Sequence, residues 1–174
     1  MKETIPDDLI DLIAAGESET VEFKESFADE AIEAIGAFAN ARGGVLFIGI
    51  KDSGDACGTQ VGKNTLEDIA GRIFNATDPH LQPSIIKSSY QSREIIVINV
   101  ASSIGAPISI RGRYFRRVGR TSQRMSHQEI MQRMISANGL SWDAELEVKS
   151  KLEDLDEKHI HHFIRNGTIE TFFK

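Results

Sequence analysis

The stretch "GGVLFIGIKD", residues 43–52, constrains this chain more than any other. Residues 45–50 are apolar apart from Gly49. A strand with one wet face alternates apolar and polar positions, whereas a run this uniform fits a central strand buried on both faces. What lies before it is helical in pattern. In "DEAIEAIGAFANARGG", Ala31, Ile32, Ile35, Phe38 and Ala39 recur near helical spacing, and Gly43 and Gly44 end the helix. After it, "DSGD" turns the chain back toward "ACGTQVG".

The flanking segments mix both periodicities. "PDDLIDLIAAGE" predicts a first helix, with Pro6 at its start, Asp7 and Asp8 at the positive end of its dipole, and Gly16 as its C-cap. "TVEFK" predicts a short strand with Val21 and Phe23 on one side and Glu22 and Lys24 on the other. "NTLEDIAGRIFNATDP" predicts a helix capped by Asn64 or Thr65. Two strands joined at residues 91–93 follow, then a basic strand, "RYFRRVG". "SHQEIMQRMISANG" predicts a last helix, with Ser126 and Glu129 in capping-box positions. No regular βαβ alternation emerges, so the expected architecture is α+β, a mixed sheet flanked by helices over residues 1–138. Residues 139–174 read as an acidic linker and a short C-terminal helix.

Charge narrows the function classes. The whole chain is at −6, which argues against a uniformly basic nucleic-acid binder. Residues 109–135, however, hold seven arginines and one acid, a segment of +6 on a remainder of −12. Alternation sets Arg111, Arg113 and Arg117 beside Phe115 on one side of the basic strand, and Arg116 and Arg120 on the other, with Arg124 beyond. Guanidiniums beside an aromatic ring can hold a phosphate and stack a base. They can equally snorkel to water around a ring packed in the core. No apolar run approaches the length of a membrane span, and the N-terminus has no signal-peptide core. With a single cysteine, Cys57, the expected compartment is the cytoplasm.

Carboxylates offer the other candidate chemistry. Glu17 precedes the first strand, Glu22 lies on it, and Asp52 ends the apolar one. Gathered at one sheet end, they would suit Mg²⁺ or Mn²⁺. Glu17 and Glu22 stand five residues apart and converge only if the chain bends at residues 18–20. Without the bend they are solvated charges beside a strand. "GTQVGKN" lacks the spacing of a phosphate-binding P-loop and the hydroxyl residue after the lysine, which argues against ATP binding of that kind.

Three stretches together resemble the AlbA-like Schlafen domain, also called a divergent AAA domain. They are "GESETVEFKESF", "AIGAFANARGGVLFIGIKDSGDACG" and "RYFRRVGRTSQRMSHQEI", and the resemblance covers about residues 5–138. It implies an α/β fold and nucleic-acid binding, as in the N-terminal domain of bacterial predicted transcriptional regulators. The implied partner is DNA or RNA, contacted through Arg111, Arg113, Arg116, Arg117, Arg120, Arg124 and Lys24. In animal Schlafen proteins the domain is an endoribonuclease acting on structured RNA, and its three acids carry over to Glu17, Glu22 and Asp52. Animal Schlafens use two lobes around a basic valley, so a homodimer of this chain is expected. A protein-interaction module is the third alternative. The sequence departs from the family's "R-V-G-S-x-x-R": Arg120 replaces the small residue and Gln123 the arginine, with Arg124 adjacent.

Overall fold

The computed structural model describes residues 6–103 and 105–137. The expected linker and C-terminal helix lie outside the described residues. Within them, the chain runs α1 (Asp7–Ala15), β1 (Val21–Lys24), α2 (Asp29–Ala39), β2 (Gly44–Ile48) and α3 (Thr65–Ala76). It continues through β3 (Thr77–Asp78), β4 (Ser84–Tyr90), β5 (Arg93–Val100), β6 (Ser109–Ile110), β7 (Arg113–Val118), β8 (Thr121–Arg124) and α4 (His127–Ala137). The α+β expectation holds.

The strands form two sheets, with orders β1-β2-β5-β4 and β3-β6-β7-β8. In the first, β1 and β2 are parallel and the remaining pairs antiparallel. The apolar run supplies β2, an interior strand with Leu46, Phe47 and Ile48 fully buried. Its alternate residues feed two cores. Phe47 joins Val21, Phe23, Ile95 and Val97 under α1, while Leu46 and Ile48 join Ile96 and Ile98 against α2.

Helix α2 touches strands of both sheets and is buried along nearly its whole length, as its all-round apolar and small composition requires. Gly36 permits that approach: a Cβ there would come within 1.8 Å of Ile110 Cδ1. Past the helix, Gly43 takes a φ of +80°, and a Cβ would meet Val100 O at 2.6 Å. Buried Asn40 fastens the junction. Its amide donates to Ile108 O (2.7 Å) and Phe115 O (2.9 Å), and its oxygen accepts from Ile108 N (2.7 Å).

Candidate nucleic-acid interface

The bend required before β1 is present, with bends at Glu17, Glu19 and Thr20. It does not gather the acids. The carbonyls of Thr20 and Lys24 accept from Val45 N and Gly49 N of the β2 segment, each at 2.8 Å. By alternation the backbone of Val21 and Phe23 then faces the free edge of the sheet. The bend folds back onto that edge. Ser18 N donates to Val21 O (3.0 Å), Phe23 N donates to Glu17 Oε1 (3.0 Å), and Lys24 Nζ donates to Phe23 O (3.0 Å).

Glu22 points to the other side of β1 and is 8% exposed. Its Oε2 accepts from Arg117 Nη1 at 2.8 Å and its Oε1 from Lys24 Nζ at 2.6 Å. Asp52 is exposed in the turn after β2. Among the described residues, no group of three acids, histidines or cysteines is placed to hold a metal ion. A hard cation needs carboxylate oxygens directed at one point. Glu22 instead gives each oxygen to a cation of the protein, and Glu17 gives Oε1 to a backbone amide. Glu17, Glu22 and Asp52 in this arrangement do not fit Mg²⁺ or Mn²⁺.

Arg117 is likewise not a surface residue. Its side chain has no exposed area, which corrects its expected place among the phosphate contacts. Beyond Glu22, Nη2 donates to Ser18 O (2.8 Å), Nε to Glu19 O (3.4 Å) and Nη1 to Ser122 Oγ (3.2 Å). The guanidinium also lies 4.8 Å from the Phe38 ring centroid. A buried guanidinium requires such satisfaction. One side chain of β7 thus ties the bend, β1, α2 and β8 together.

The remaining arginines divide by partner. Arg111 sits in the β6–β7 turn with φ +49°, not on the strand. Its guanidinium forks onto Asp29 at 2.8 and 3.0 Å. That contact holds the Asp29 carboxyl below its ordinary range and raises Arg111. Arg116 Nε lies 2.8 Å from Glu129 Oε1, an ion-pair distance whose N–H is not aimed to make a hydrogen bond. Lys24 is engaged by Glu22. Arg113, Arg120 and Arg124 are exposed, and none has an acid partner among the described residues. All three belong to the β7–β8 hairpin: Arg113 opens β7, Arg120 lies in its turn and Arg124 ends β8. No acid stands between residues 113 and 124. The ladder between the hairpin's ends is roughly 17 Å long at about 3.3 Å per residue.

The profile of the family described as Schlafen, AlbA_2 matches residues 17–126. The chain belongs to the Schlafen AlbA_2 family. The matched span begins at Glu17 and includes the whole hairpin. Among solved structures, the DIP2311 protein from Corynebacterium diphtheriae is similar at 20% identity and a TM-score of 0.57. That likeness is one of fold; it covers 75% of this chain and 32% of the other, so this chain spans about a third of that protein's length. The N-terminal domain of a RecG-related protein from Nitrosomonas europaea is similar at 26% identity, covering 69% of this chain and 94% of that domain, with a TM-score of 0.46. No curated protein matches the chain. Among the described residues, no helix is long and apolar enough to cross a membrane.

Sequence reasoning missed Asn40, Ser18 and Ser122, whose roles depend on partners remote in the chain. It also missed that Asp29 and Glu129 occupy two of the arginines. Asp29 stands 82 residues before Arg111, and nothing local marks the pair.

Proposed function

We propose that this Schlafen AlbA_2 domain binds nucleic acid through the β7–β8 hairpin, as the DNA-binding part of a bacterial transcriptional regulator. The observation that carries the reading is the set of three exposed arginines, Arg113, Arg120 and Arg124, without acid partners on one acid-free hairpin. Arginine suits phosphate because its planar fork donates two parallel hydrogen bonds to the oxygens. Half-buried Tyr114 lies beside Arg113 and could supply an aromatic face. The acidic remainder of the chain disfavours docking elsewhere and so orients the approach. A homodimer would double this surface and forms part of the reading.

The test is fluorescence anisotropy with a labelled DNA duplex and a labelled structured RNA at low salt. Binding that weakens in Arg113→Ala, Arg120→Ala and Arg124→Ala supports the reading. Failure of the wild-type chain to bind either probe sinks it and leaves a protein-interaction module. An endoribonuclease working through Glu17, Glu22 and Asp52 would first need Arg117 and Lys24 to release Glu22. No contact in the described residues favours that rearrangement.

A further inference from the structure

The two edges of the first sheet are treated differently. The β1 edge is closed by Ser18, Glu17 and Lys24. The β4 edge is seven residues long, and no described strand pairs with its outer side. Which groups face outward follows from the ladders. Val45 and Gly49 bond toward β1, so Gly44, Leu46 and Ile48 bond toward β5 through Val100, Ile98 and Ile96. The β5 residues Asn99, Val97 and Ile95 then face β4 at Ser84, Ile86 and Ser88. Ile85, Lys87 and Ser89 are left with their backbone N–H and C=O groups pointing off the sheet.

An open edge of this length is a template for another strand unless a charge guards it. Lys87 is a poor guard, because Glu94 of the same sheet takes its ammonium at 2.6 Å. Beside it, Ile86 is 42% exposed, although it lies opposite Val97 on the face that α1 otherwise covers.

We propose that the β4 edge pairs antiparallel with the β4 edge of a second copy of this chain, about a two-fold axis at Ile86. This joins the two first sheets into one. That register places Ile86 against the partner's Ile86, Ser84 against the partner's Ser88, and Lys87 against the partner's Ile85. It buries the exposed isoleucine on itself and sets no like charges opposite each other. A register centred on Lys87 would oppose two ammoniums, which disfavours it. Ile85 and Lys87 of each copy exchange backbone hydrogen bonds, and the interface is isologous. The inference does not depend on the hairpin binding nucleic acid, and oligomeric state reads it separately.

Sedimentation of the full chain should show a dimer at micromolar concentration. Lys87→Pro removes an outward N–H, a change edge strands tolerate, together with the partly exposed ion pair to Glu94, and should give a monomer with unchanged circular dichroism. In a Cys57→Ser background, Ile86→Cys should cross-link to itself under mild oxidation. Facing residues of a non-hydrogen-bonded pair lie about 4.5 Å apart at Cα, within disulfide reach. Ser84→Cys, which faces a serine, should not cross-link. A monomeric wild-type chain overturns the proposal. So does a dimer that survives Lys87→Pro, or one that leaves Ile86→Cys uncross-linked.

Discussion

Arg117 Nη1 and Glu22 Oε2 meet at 2.8 Å between the two sheets, with the arginine side chain fully buried and the glutamate nearly so. The pair joins residues 95 apart in the chain. Removing the glutamate strands a buried guanidinium, and removing the arginine leaves the glutamate to Lys24 alone while untying Ser18, Glu19 and Ser122; breaking such a pair typically costs about 3–5 kcal/mol. Arg117→Ala should lower stability by roughly that amount in urea denaturation. The double variant Arg117→Met with Glu22→Gln should be much less destabilised than the sum of its single changes, because no charge is left stranded. Near-native stability of Arg117→Ala would refute a keystone role.

The hairpin reading carries a salt signature. With three phosphates neutralised on a duplex, log K should fall with log salt at a slope of about −2.7. Each of Arg113→Ala, Arg120→Ala and Arg124→Ala should reduce the slope by about 1. Anisotropy titrations between about 50 and 200 mM salt measure it. Substituting Arg111, whose fork is held by Asp29, should change the slope far less.

Glu17 separates an architectural acid from a metal-binding one. Its Oε1 caps Phe23 N at the sheet edge. Glu17→Gln keeps an acceptor and should stay close to wild type in stability. Glu17→Ala uncaps the amide and should cost about 1 kcal/mol, with a rise in aggregation on heating as the edge opens. If Glu17→Gln instead abolished a manganese-dependent RNA cleavage while leaving stability intact, the carboxylate would have a chemical role the edge does not explain.

Acid should loosen two surface anchors. Glu129 is held below its ordinary value of 4.5 first by the hydrogen bond from Ser126 N, then by one from the Ser126 hydroxyl, and further by the charges of Arg116 and Arg133. Asp29 is held below 3.8, first by its hydrogen bond from Arg111 and then by that residue's charge. Both carboxyls are depressed on folding. Their stabilisation is therefore complete above the ordinary values and is lost as pH falls through the folded ones. Melting temperature should drop through the range below about pH 4.5. Glu129→Gln and Arg111→Ala should each flatten part of that decline. At neutral pH, Ser126→Ala should cost about 1 kcal/mol through the lost N-cap.

Local signals carried much of the fold. Pro6 and Gly16 bracket α1, the Ser126–Glu129 capping box forms in both directions at 2.8 and 3.2 Å, and the apolar run is the interior strand it resembles. Strands β6 and β8 were not legible. Two residues, Ser109 and Ile110, and four, Thr121–Arg124, become strands only through what they pair with. The second sheet went unread for the same reason. At the site, alternation set Arg117 and Phe115 on one side of β7, and the structure buries both. It could not show that Glu22 waits in the core to neutralise a guanidinium. Burial of a charge depends on a tertiary partner, and only Arg113, Arg120 and Arg124 are left exposed and without an acid partner among the described residues.

The Asn40 junction bears on how the molecule assembles. Its side-chain amide closes chain loops spanning 68 and 75 residues. Closing such loops costs entropy before any contact rewards it, although the cost grows only with the logarithm of length. Contacts of this separation raise the contact order and slow folding. Asn40 fastens the end of α2 to the second sheet, and the Arg117–Glu22 pair ties that sheet to β1 of the first, so neither sheet keeps its full set of side-chain bonds if the other melts. Amide exchange in the two sheets should then report a single cooperative opening, with no half-folded domain in which the hairpin swings free of the sheet that anchors it.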